Sequence, residues 1–300
     1  MIDRAISFLL ETQNADGGWG AAQGRRSNTE ATGLAVLALE SFKKSGTSKN
    51  AQRGIDWLME RQNADGSWPF NDTSKDGSWS TAIAILSLSL LPEHHGRIIK
   101  AARWAIGHEA SRLGWLASLL LALSPEKNAS RVNLDLKGWP WTAASFSWVE
   151  PTSYFLIALK KLRPHLRGTK ADERIRQGEL MISDRMCEGG GWNYGNSKVL
   201  GESLWPYPDM TAVALVALQD HPEAEANRTS LRALQKMLKE LDSGLALSWA
   251  IICFRLYGYE VTEWKTLLAK KFQKTGFVGE TKTIALSLLA WGEGVRFFQI

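Results

Sequence analysis

The chain has 300 residues, 44% of them hydrophobic and 22% charged. That is enough apolar content to bury a full core and too much for a disordered chain. The formal charge of +5 comes from basic residues scattered in pairs such as Lys43-Lys44, Lys160-Lys161 and Lys270-Lys271, without the dense patch expected of a nucleic-acid reader. Two cysteines exclude a disulfide scaffold and a four-cysteine zinc module.

The N-terminus opens on a helical pattern, Ile2, Ile6, Phe8, Leu9, with no charged-then-apolar leader, so a cytoplasmic protein is expected. Residues 4–19, RAISFLLETQNADGGW, align without a gap on residues 53–68, RGIDWLMERQNADGSW. A degenerate copy ends at Gly191-Trp192, and another at Phe272–Phe277 keeps Gln273 and Gly276 but replaces Trp with Phe277. Gly114-Trp115 and Gly138-Trp139 read as further remnants. After most of these turns comes a Thr that opens an Ala/Leu-rich helix: Thr32, Thr81, Thr152, Thr211 and Thr283. Leu113–Leu123 and Gly244–Phe254 resemble the same helix without the Thr. The recurrence predicts about six or seven helical hairpins.

Within each hairpin the first helix is amphipathic, with a stripe such as Ile55, Leu58, Met59, and it ends at a Gly-containing turn. The second helix is apolar nearly all round and must be buried on every side. Amphipathic helices outside and apolar helices inside describe two concentric layers, which a closed ring satisfies better than an open solenoid. The prediction is an all-α fold over residues 1–300, a single (α/α) toroid.

A basic residue, an aromatic residue, then Gln and Gly-x-Trp resembles the QW motif of the terpene cyclase and protein prenyltransferase superfamily. The segment CEGGGWNYGN is similar to bacterial repeat proteins of that superfamily. The resemblance implies a toroid like the squalene–hopene cyclase domains, enclosing an apolar cavity for a polyprenyl or squalene-like chain. In it, Gln13, Trp19, Gln62 and Trp68 would clamp neighbouring hairpins. A Gln amide can satisfy carbonyls at a helix end and Trp can cover it.

Protonation-initiated cyclases carry an acidic motif, Asp-x-Asp-Asp then Thr-Ala, at an inner-helix start. Here Tyr207-Pro208-Asp209-Met210-Thr211-Ala212 keeps the central Asp and the Thr-Ala but replaces both flanking carboxylates. Asp209 therefore has two readings, a proton donor and a plain helix N-cap. Glu150, followed by Pro151 as an expected first helical residue, is the substitute acid. Glu30, Glu150, Asp209 and Lys282 would make one end of the tunnel polar. Trp141, Trp148, Tyr154, Trp192, Tyr194, Trp205 and Tyr207 are the candidate lining that would face a cationic intermediate.

Prenyltransferases of the superfamily hold zinc at inner-helix starts. The equivalent places here are Glu150, Thr152 and Met210, without the Cys and the His, so neither metal nor other cofactor is expected. The expected ligand is an isoprenoid or another lipid-like molecule, with peripheral membrane contact through apolar ends such as Phe297-Phe298. The function expected first is an isoprenoid-handling enzyme resembling class II terpene cyclases; the alternatives are a non-catalytic toroid that binds a lipid or protein partner and a prenyltransferase β-subunit-like protein.

Overall fold

A computed structural model describes residues 1–42, 47–89, 91–110, 133, 135–142, 145–199 and 201–300. The expected helix at Leu113–Leu123 and the Gly114-Trp115 remnant lie outside the described residues. Among the described residues the outer helices are α1 (Ile2–Glu11), α3 (Thr47–Glu60), α5 (His95–Gly107), α7 (Ala171–Asp184), α9 (Glu225–Met237) and α11 (Thr262–Thr275). Among the described residues the inner helices are α2 (Thr29–Ser41), α4 (Thr81–Leu88), α6 (Val149–Leu162), α8 (Pro208–Ala217), α10 (Gly244–Leu256) and α12 (Thr281–Trp291), six in all. A two-stranded antiparallel ribbon, β1 (Lys198–Val199) with β2 (Glu202–Ser203), projects before α8.

Each inner helix packs on the next, and α12 returns to α2, which closes the ring of six. The inner helices are buried along nearly their whole length, as their continuous apolar sequences require. Each outer helix buries a single stripe against them, such as Ala5, Ile6 and Leu9 of α1.

The recurring Gln, Trp and Thr are the joints of this ring. The indole N–H of Trp19 donates to Leu9 O at 2.7 Å, and that of Trp68 donates to Leu58 O at 2.7 Å. Trp192 does the same to Ile182 O at 2.6 Å. Each indole donates to a carbonyl at the C-terminal end of an outer helix, where carbonyls lack an intrahelical donor. The backbone N–H of each Trp donates to the inner-helix Thr: Trp19 to Thr32, Trp68 to Thr81, Trp139 to Thr152 and Trp192 to Thr211, all at 2.8–3.0 Å. Gln13 Nε2 donates to Gly17 O and, across to the next hairpin, to Asn50 O at 2.9 Å, and Gln62 repeats this with Gly66 O and Arg97 O. Trp therefore satisfies its own helix end and Gln ties successive hairpins. Gly17 (φ +94°) and Gly66 (φ +98°) are needed here, because a Cβ would come within 2.8 Å of the Arg53 carbonyl oxygen and of Lys100.

Phe297 and Phe298 are not an exposed apolar end: both are buried. The tail after α12 crosses the C-terminal ends of the inner helices. It is held there by Lys161 Nζ on Gln299 O (2.9 Å) and Gln219 Nε2 on Phe298 O (2.9 Å). Among the described residues no helix is long and apolar enough to cross a membrane.

Candidate functional site

The N-termini of the inner helices meet at one end of the ring, the mouth. Glu30, Glu150, Asp209 and Lys282 are each the second residue of α2, α6, α8 and α12. A carboxylate there is favoured by the positive end of the helix dipole, and a lysine is not. Glu150 lies one residue after the helix start at Val149, so Pro151 is the third helical residue rather than the first. Asp209 is likewise not the N-cap: Tyr207 holds that position.

Lys282 resolves the conflict with its dipole by pairing. Its Nζ lies 2.7 Å from Glu30 Oε1 and 2.8 Å from Glu150 Oε1. In the ring order α2, α4, α6, α8, α10, α12, helix α12 is next to α2 but opposite α6. The Lys282–Glu150 bond therefore crosses the mouth. With neighbouring axes ~9 Å apart, opposite axes of a six-helix ring lie ~18 Å apart, a gap that a Lys and a Glu reaching towards each other can bridge. The ammonium also lies 5.8 Å from the ring centre of Trp79, which stands in the repeat position of Glu30 and Glu150, two before the Thr.

Beneath the ion bridge, aromatic rings follow the ring axis. Trp79 meets Tyr154 at 5.6 Å between centroids, Tyr154 meets Trp249 at 5.7 Å, and Trp249 meets Phe298 of the tail at 5.2 Å. Tyr154 and Trp249 come from helices separated by α8, so their contact also reaches inward across the ring. Tyr154 is fully buried, and its hydroxyl has no hydrogen-bond partner among the described residues.

The electrostatics follow from burial. Burial pushes the Glu30 carboxyl up, opposed by Lys282 and reinforced by Glu150. The two carboxylates beside Lys282 outweigh its own burial and hold its ammonium well above the usual lysine range. Burial also raises Asp209, against the lowering effect of its own and Met210's backbone N–H donors; Glu150 raises it further and Lys282 lowers it. Burial pushes the Tyr154 phenol well up.

The candidate aromatic residues divide into three groups. Trp141 stacks on Trp148 (5.1 Å), Trp141 meets Tyr194 (5.9 Å) and Tyr194 meets Tyr207 (5.6 Å), which makes a half-exposed run of rings beside Asp209. Trp192 does not line this run; it is buried as a hairpin joint. Trp205 stands 86% exposed beyond the β-ribbon, with no ring partner in the run. Sequence reasoning passed over Trp79 and Trp249, because single aromatics in apolar helices carry no sign that they face an axis. It also passed over Arg174. This buried guanidinium lies 3.4 Å from the Trp139 ring centre and donates to Lys137 O, Gly138 O and His108 O, tying the residue after α5 to the segment that carries Trp139. Burial lowers its pKa to about 10.

A grouping of metal-type ligands, Glu179, Asp220 and His221, lies away from the mouth. Its charge is met by the buried Lys160, whose Nζ lies 2.7 Å from Glu179 and 2.6 Å from Asp220. The geometry is that of a buried ion pair rather than of a vacant cation site.

Comparisons with known proteins agree with this architecture. Residues 1–78 match the Squalene-hopene cyclase C-terminal domain family. No curated protein matches the chain in sequence. The type II terpene cyclase MstE from Scytonema, solved with geranylgeranyl dihydroxybenzoate (substrate), is similar over 99% of this chain and 96% of that one, with 14% identity and a TM-score of 0.62. An α-amylase from Clostridium perfringens is similar over 97% of both chains, with 11% identity and a TM-score of 0.63. An α-1,6-mannanase of Salegentibacter sp., bound to α-1,6-mannotriose, is similar over 97% of this chain and all of that one, with 9% identity and a TM-score of 0.58. At such identities the likeness concerns the fold alone. The chain carries the signature of the Squalene-hopene cyclase C-terminal domain family in its first repeats, on a terpene cyclase-like helical toroid.

Proposed function

We propose that the protein is a non-catalytic, terpene cyclase-like toroid that binds an apolar, isoprenoid-like molecule against the rings at its mouth. The observation that carries this reading is the ring axis taken up by the protein's own side chains, from the Lys282–Glu150 bridge through Trp79, Tyr154 and Trp249 to Phe298. A polyprenyl chain folded for cyclisation needs that axial space. The ligand is left the run of Trp141, Trp148, Tyr194 and Tyr207, whose faces offer apolar area open to solvent.

A second reading, a protonation cyclase, has one specific support. Asp209 stands where the resemblance puts the central acid, and burial raises its pKa. In that case Asp209 would give its proton to an alkene carbon and the adjoining rings would face the developing cation. Glu150 is engaged elsewhere, because its Oε1 accepts from Lys282.

The two readings part in one experiment. Wild type and Asp209→Asn are incubated with squalene and prenyl diphosphates of several lengths, products are read by gas chromatography–mass spectrometry, and binding of geranylgeraniol is followed by calorimetry. Saturable binding without product supports the binding toroid. A cyclised product lost in Asp209→Asn establishes the cyclase instead, and neither binding nor product rejects both.

A further inference from the structure

The seams between neighbouring outer helices are not alike. At the first two, Gln13 and Gln62 reach across to the next hairpin, to Asn50 O and Arg97 O. Helix α9 is followed by residues 238–244, LKELDSG, which contain neither the Gln nor the Gly-x-Trp of those joints. What crosses from this connection to α11 is an ion pair, Lys271 Nζ to Asp242 Oδ1 at 2.6 Å. Beside it α9 and α11 leave a groove of about 530 Å³. That volume falls in the range of small-molecule sites.

The floor of the groove is apolar. Leu238 is buried, and Trp264 and Leu267 are half-buried. Trp264 stacks on the buried Phe254, 4.5 Å between centroids and 27° between planes, which fixes the ring against the core. The rim is polar, with Gln235 and Lys239 from one side and Glu263, Thr266 and Lys270 from the other. These charges are sorted by position. Each outer helix runs towards the mouth, where it leads into the start of an inner helix. Glu263 stands in the first turn of α11, Lys270 stands two turns further on, and Lys239 lies just past the end of α9. Both lysines are therefore at the mouth end of the groove and the carboxylate is at the other. Neither Lys239 nor Lys270 has an ion-pair or hydrogen-bond partner among the described residues, whereas the neighbouring Lys271 is taken by Asp242. From Glu263 to Lys270 the helix rises about 10 Å, the length of an extended octyl chain.

We propose that this groove binds a free single-chain carboxylate, a fatty acid of medium length. Its alkyl chain lies on Leu238, Trp264 and Leu267, and its headgroup meets Lys239 and Lys270. A carboxylate can offer one oxygen to each of two ammonium groups, a charge-assisted contact that an alcohol of the same length does not make. Glu263 sets the direction, because it repels a headgroup placed at its end. The site lies on the outside of the ring and is independent of the isoprenoid reading at the mouth.

The test is isothermal titration calorimetry on the full chain at fixed ionic strength, with octanoate, 1-octanol and n-octylammonium, each below the concentration at which it aggregates. Octanoate should bind one-to-one and about fivefold tighter than octanol, with n-octylammonium no tighter than octanol. The double variant Lys239→Gln, Lys270→Gln should bring octanoate down to the level of octanol and leave octanol unchanged. Leu267→Asp should weaken both, with thermal unfolding confirming that the variants fold. Octanoate that does not bind the wild type, or binds no tighter than octanol or n-octylammonium, overturns the proposal. Octanoate binding that survives both variants unchanged overturns it too, and would move the ligand to the rings at the mouth. If wild type instead sediments as a dimer that Leu267→Asp separates, and octanoate leaves that dimer intact, the groove is an interface between copies of the chain and the proposal fails. Geranylgeraniol binding should be the same in wild type and in the double lysine variant, so a failure here is distinguishable from a failure of the isoprenoid reading.

Discussion

Two influences act on the Asp209 carboxyl in opposite directions, and their balance has a consequence for stability. Burial raises its pKa, the backbone N–H groups at the start of α8 lower it, and burial is the larger. Among its charged and titratable neighbours, Glu150 adds to the rise and Lys282 opposes it, while Tyr194 faces it from the preceding loop. In the unfolded chain an aspartate titrates near ~3.9. Between that value and the higher native one, the native state binds more protons than the unfolded state. Stability therefore falls as pH rises through this window: the contribution is fully present below the unfolded value and lost above the native one. Asp209→Asn removes the titration. The melting temperature of the variant, taken relative to wild type, should rise as the pH increases above about 4. A difference that stays flat above that pH would mean that burial does not dominate at Asp209. The position of this carboxyl is readable from the sequence, as the acid before the Thr that opens an inner helix. Its pKa is not readable, because a helix start by itself predicts a lowered value and only the packing of the mouth reverses the sign.

At the scale of elements, the last hairpin departs most from the repeat, and the departure is local strain. Helix α11 ends on Gly276 in the left-handed region (φ 56°), and the chain stays left-handed through Phe277 (φ 50°), Val278 (φ 55°) and Gly279 (φ 69°). Phe277 gains from this turn, since its ring packs on Phe272 at 5.3 Å, where other hairpins place a Trp. Val278 gains nothing visible: it is 91% exposed, and a β-branched side chain is among the least suited to this conformation. A left-handed residue costs roughly 1–2 kcal/mol, and Asn tolerates it better than most. Val278→Asn should therefore stabilise the protein by about 1 kcal/mol. The check is urea unfolding, with the midpoint moving up at constant slope; a lower midpoint would mean that Val278 makes a contact that offsets its backbone. The repeats explain which elements are legible. Residues 4–19 and 53–68 keep every joint residue, so the first two hairpins can be read directly. In the third, Trp139 lies far in sequence from α5, and its indole still reaches Ala105 O at 2.9 Å. Sequence spacing hides that joint because the two halves lie 34 residues apart.

For the whole molecule, closure of the ring decides which charges meet. Lys282 and Glu150 lie 132 residues apart, and nothing in the local pattern of either names the other as its partner. Only a count of six inner helices places α12 opposite α6; a ring of seven, equally compatible with the repeats, would not. The bridge sits in a half-dry mouth, where taking charges from water offsets much of their attraction. Its removal in part and its removal in whole should therefore differ. Lys282→Met leaves Glu30 and Glu150 without their cation and should destabilise by about 3–5 kcal/mol. The triple variant Glu30→Leu, Glu150→Leu, Lys282→Met removes the stranded charges as well. It should recover most of that loss, and such replacements of buried ion groups by apolar ones have ranged from neutral to ~4 kcal/mol stabilising. Urea unfolding of wild type, single and triple variants measures both terms. A single variant that loses less than about 1 kcal/mol would show that the bridge behaves as a surface pair. A triple variant no better than the single would show that the ions contribute more than apolar packing can replace. If instead the triple variant is as stable as wild type, stability does not explain why three charges stand at the mouth of an apolar ring. The reason must then be sought in something other than the stability of the fold.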